Sequence, residues 1–64
     1  MDKTILAKVK KGEYIRLKDT PTAPVWIRGD YARGDKKYSI HKFDDVNHES
    51  LKKGSTVVYI GFTF

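Results

Sequence analysis

Apolar and polar residues alternate at period two over most of this chain, the spacing of strands rather than helices. Thr4–Val9 sets Ile5, Ala7 and Val9 against Leu6 and Lys8, and Lys10-Lys11-Gly12 then turns the chain. Glu13–Lys18 alternates again, with Tyr14, Arg16 and Lys18 on one side and Ile15 and Leu17 on the other. Pro21 and Pro24 remove backbone donors and bias their neighbours away from helix, so 19–24 is a loop. Val25–Gly29 is the next strand. Arg33-Gly34-Asp35-Lys36 is a hairpin turn with Gly34 expected at positive φ, leading into a strand over Lys37–Phe43. In the closing segment, Val58, Ile60, Phe62 and Phe64 form an apolar row with Val57 and Tyr59 behind it. That pattern suits a strand central in a sheet or paired on both edges.

One segment lacks the alternation. In Asp44–Lys53 the apolar residues Val46 and Leu51 stand five apart; Asp44 or Asp45 can cap a helix and Gly54 can end it. The expectation is a short helix or a 3₁₀ turn at about 44–53. Five strands joined mostly by short turns then imply a mainly β fold, either a small barrel or a strongly curled antiparallel sheet. Closure would remove bare strand edges.

Lys11-Gly12-Glu13-Tyr14-Ile15-Arg16 resembles the opening strand of SH3-like barrels of the KOW type, in which a Lys-Gly-acid turn precedes alternating apolar residues. The segment 44–54 is similar to the 3₁₀ turn before the last strand of such barrels. Several small bacterial and phage proteins share this look. The resemblance implies a five-stranded SH3-like barrel.

Sixty-four residues make a single domain with a thin core. With no cysteine and no Cys/His pattern, neither a disulfide nor a structural metal is expected. No apolar run approaches the ~20 residues of a membrane span. The N-terminal apolar stretch is too short for a signal peptide, so a cytoplasmic location is the default. Thirteen Lys and Arg stand against eight Asp and Glu, a net charge of +5 and a pI near 9.6. The excess gathers in residues 1–12 and 26–42. Clustered positive charge favours polyanions, and it also keeps a small domain soluble.

Aromatic residues fall among those cations, which gives a candidate nucleic-acid surface: Tyr14, Arg16, Lys18, Trp26, Arg28, Tyr31, Arg33, Lys36 and Lys37. An exposed ring stacks on a base for ~1–3 kcal/mol, and basic neighbours hold the phosphates. The surface requires Trp26 and Arg28 to emerge on the same side as Tyr14 and Arg16. The opposite phase puts the indole in the core, where tryptophan is more often found.

Other chemistry is sparse. Arg-Gly-Asp occurs at 28–30 and 33–35, as two bends flanking Tyr31. His41 and His48, among Asp44, Asp45 and Glu49, lack metal-ligand spacing. Ser39 and His41 share a strand face without a third group that the sequence can name. The expectation is a non-enzymatic binding module without cofactor, metal or membrane partner. It contacts DNA or RNA without strong sequence specificity, or else takes a protein or extended peptide in an aromatic groove.

Overall fold

The computed structural model describes residues 1–63, without the Val46 side chain. Six antiparallel strands form one sheet: β1 (Asp2–Ile5), β2 (Tyr14–Arg16), β3 (Val25–Ala32), β4 (Lys37–Lys42), β5 (Asp45–Lys52) and β6 (Val57–Ile60). Their order across the sheet is β1-β6-β2-β3-β4-β5. The sheet curls without closing, and β1 and β5 are its two edges. The last strand lies inside it, paired with β1 along its length and with β2 at Arg16↔Tyr59.

Antiparallel partners share a face of the sheet. Ile15 stands opposite Trp26, and Arg28 opposite Ile40, so these four residues belong to the inner face. Leu6, Val9, Ile15, Trp26, Ile40 and Val58 make the core, with Leu17, Tyr38 and Ile60 packed against it. Leu6 and Val9 arrive from a 3₁₀ turn, Leu6–Lys8, where a continuous strand over Thr4–Val9 had been expected. Three residues per turn bring Leu6 and Val9 to the same side, whereas a strand would send them to opposite faces. The Leu6 and Ala7 amides donate to Thr56 and Gly54 carbonyls at 2.9 and 3.0 Å, which fixes the turn beside the start of β6.

The segment expected to be a helix or 3₁₀ turn is instead an eight-residue strand. A two-residue turn, Phe43–Asp44, sets Asp45 opposite Lys42, and Glu49 then pairs with His41. Residues 46–48 have no counterpart on β4 in that register and form a bulge. Asp45 accepts from the Asn47 amide at 3.2 Å, so the aspartate suited to a helix cap closes an Asx turn inside the bulge. A bulged edge strand resists pairing with other chains.

A second irregularity lies in β3. Its pairing with β4 shifts by one residue between Arg28 and Tyr31. A Cβ at Gly29 would meet the Ser39 carbonyl oxygen and hydroxyl at 3.2 Å, so a side chain there would push the two strands apart. The hairpin turn falls at 33–36 as the sequence suggested, but Lys36, not Gly34, takes the left-handed backbone, with φ 54°.

Three stability outcomes follow. Ile40→Ala, at a fully buried position, should lower unfolding free energy by about 2–5 kcal/mol in urea titration; Leu51→Ala, exposed on β5, should change it by under about 0.5 kcal/mol. Lys36→Gly should raise stability by about 0.5 kcal/mol, because relief of the left-handed backbone exceeds the added freedom of the unfolded chain.

Candidate nucleic-acid interface

The nine candidate residues do not share one face. Tyr14 pairs with Ile27 and Ile15 with Trp26, so Tyr14 and Arg16 lie on the outer face while Trp26 and Arg28 lie on the inner one. The common side required by the sequence reading is therefore not formed: alternation holds within each strand, but the β2–β3 register sets the two strands in opposite phase. Trp26 is only 8% exposed and belongs to the core.

Two of the arginines are drawn inward. Arg16 is 7% exposed, with its guanidinium 4.3 Å from the Phe62 ring centroid. Arg28 is half-buried at the same distance over the Tyr38 ring, and its Nη1 donates to the Gly29 carbonyl at 2.9 Å. In both, Nε is buried without an acceptor among the described residues. These guanidinium groups are stacked on rings of the protein itself.

The remaining residues form two groups. At the hairpin end, Tyr31 is exposed and tilts against Tyr38 at 4.8 Å between centroids, near exposed Arg33 and Lys36 and half-buried Lys37. The β3 bulge creates this pairing by bringing Tyr31 onto the face of Arg28 and Tyr38. Trp26 stands about 16 Å from Tyr31 along β3, at ~3.3 Å per residue.

At that other end is a groove of about 320 Å³ bounded by Leu17, Lys18, Ala23, Pro24, Trp26, Lys42 and His48. Pro24 and Lys42 also border a neighbouring hollow of about 270 Å³ that reaches Val25, Phe43 and Asp44. His48 meets the indole edge-on at 5.5 Å, and the Lys42 ammonium lies 5.8 Å from the ring centroid. Trp26 is thus a wall of the groove rather than a free stacking platform.

Lys42 and His48 were missing from the sequence-based set. Counting back from the hairpin turn without a bulge sets Phe43 opposite Trp26; the one-residue shift substitutes Lys42. His48 arrives through the β5 bulge, in a segment without strand periodicity.

The outer face brings Ser39 and His41 together with Glu49, a third group that the sequence could not name. The Ser39 hydroxyl donates directly to the Glu49 carboxylate at 2.9 Å, an arrangement that spends its proton on the carboxylate rather than on an imidazole base. His48 lies across the sheet against Trp26, so the two histidines do not converge. Among the described residues, no group of three or more His, Asp or Glu side chains could hold a metal. None of their helices is long and apolar enough to cross a membrane.

Near the hairpin end, Lys11 and Asp30 form an exposed ion pair at 2.6 Å. The hydrogen bond from Lys11, then its charge, holds the Asp30 carboxyl below its ordinary value. A depressed carboxyl contributes stability above its unfolded pKa and loses it as pH falls through the folded one. Lys11→Met should move the Asp30 midpoint upward in a side-chain ¹³C NMR titration; an unmoved midpoint would show that the pair does not form in solution.

No protein-family model matches this chain, and neither a curated protein nor a solved structure was found to match it.

Proposed function

We propose that this protein is a non-enzymatic binding module that contacts single-stranded nucleic acid, without strong sequence specificity, through the Trp26 groove. The observation that carries this reading is the convergence of Lys18, Lys42 and His48 on a groove with apolar walls of Leu17, Pro24 and Trp26. A base entering between those walls leaves water for an apolar surface, while its flanking phosphates meet two ammonium groups on the rim. A duplex would hide its bases from a groove of this size, so the single strand is the better fit. The hairpin-end cations Arg33, Lys36 and Lys37 add phosphate contacts farther along the same strand of nucleic acid. Contacts to phosphates and ring faces carry little sequence information, hence the lack of specificity.

A second reading has one observation in its favour. Leu17, Ala23, Pro24 and Trp26 make much of the lining apolar, which suits an extended peptide. Salt separates the two, because phosphate binding releases counterions and apolar peptide docking does not.

The test is a titration of a fluorescein-labelled single-stranded DNA at several salt concentrations, with Trp26 emission followed in parallel. Affinity should fall steeply with salt, and Lys18→Ala and Lys42→Ala should each reduce the log–log slope by roughly 0.7. Binding that ignores salt, or an absence of binding at low ionic strength, would remove the nucleic-acid reading.

A further inference from the structure

A buried arginine on the opposite face from the groove has no carboxylate partner among the described residues. Arg16 is 93% withdrawn from water. A guanidinium so placed ordinarily sits against a carboxylate, since burying an unpaired charge is costly. Among the described residues, none ion-pairs with it; Lys11–Asp30 is the ion pair found there. Among those residues its Nη1 reaches the Met1 sulfur, a weak acceptor, at 3.9 Å, and its Nε meets no acceptor. What covers the plane of the group is the Phe62 ring at 4.3 Å.

The surroundings suit a ligand of particular chemistry. Register sets Lys3 opposite Tyr59, and Tyr59 opposite Arg16, in one row across β1, β6 and β2 on the outer face. Tyr14, two residues before Arg16 on that face, is 45% exposed. An arginine between two tyrosines, with an exposed lysine at the end of the row, offers a flat cation for a π system and further charge for an anion. Phe62 supplies the π system alone.

We infer that Arg16 is a second contact point for nucleic acid, and that Phe62 occupies it in the free protein as an internal stand-in for a base. The inference rests on the nucleic-acid reading above and assigns it an additional site. A nucleobase repeats the flat face that Phe62 presents, and its phosphate adds the acceptor that Arg16 Nε lacks. Phe62 lies beyond the end of β6, directly after Gly61 at φ +74°, a backbone open to glycine and strained for other residues.

The experiment compares wild type, Phe62→Ala and Phe62→Ala/Arg16→Gln for binding to the labelled single-stranded DNA, with Lys18→Ala/Lys42→Ala alongside. Removing the competing ring should tighten binding roughly 3- to 30-fold, and loss of Arg16 in that background should abolish the gain. Phe62→Leu, which keeps apolar cover without the ring, serves if the alanine variant does not fold. In the wild type, DNA should also shift the Arg16 Nε–H resonance. Unchanged affinity in both Phe62 variants, a gain that persists without Arg16, or an unmoved Nε–H signal overturns the inference. If these occur while the double lysine variant loses binding, the groove reading stands and only the Arg16 site falls. If no form binds DNA, both fall.

Discussion

A single sheet has two faces and, in a chain of this size, no second layer to cover either. The structure answers with a plug. Leu6 and Val9, brought to one side by a single 3₁₀ turn, fill the concavity formed by Ile15, Trp26, Ile40 and Val58. Among the described residues these six are the buried core, and curvature of the sheet is what makes room for them. Were the sheet flat, Leu6 could not touch strands as far apart in order as β6 and β4. The remaining architecture serves that closure around the plug, including the narrow β2–β6 seam at Arg16↔Tyr59, where the two parts of the sheet meet.

The same shortage of covering layers explains the two arginine–ring stacks. On a half-exposed sheet, a guanidinium can lie flat and shield apolar neighbours while an aromatic ring offsets part of its lost hydration. Arg28 does this over Tyr38 on the inner face, and Arg16 under Phe62 on the outer. Both leave Nε without an acceptor. The positive charge that seemed in sequence to form one patch is thus divided into groups with different environments. Lysines border the groove and gather at the hairpin tip; Arg28 lies between them on the inner face, and Arg16 is buried on the outer one.

Bulges decide which side chains reach the groove. The single-residue shift in β3 places Lys42 rather than Phe43 against Trp26 and also turns Tyr31 toward Tyr38. The larger bulge in β5 delivers His48 to the indole. Gly29 permits the first by letting β3 approach Ser39 closely, and the Asp45 side chain steadies the second. Neither irregularity changes the order of strands, yet together they determine the chemistry of the apolar groove with its basic rim.

Local side-chain alternation by itself determined the mainly β character, the positions of β2, β3, β4 and β6, the 33–36 turn and the interior place of the last strand. These depend on contacts between near neighbours along the chain, where periodicity is a direct physical signal. It could not determine which face of each strand turns inward, because alternation is the same for either phase and only the register with a neighbouring strand chooses. That is why Tyr14 and Trp26 part company. Nor could it identify β5, which follows Asp44 and opens on Asp45, two cap-like aspartates, and acquires strand geometry by pairing with β4. The 3₁₀ turn at Leu6 belongs to the same class: Ile5-Leu6-Ala7 is compatible with a strand, and the need to fill a curved sheet from inside is what bends it.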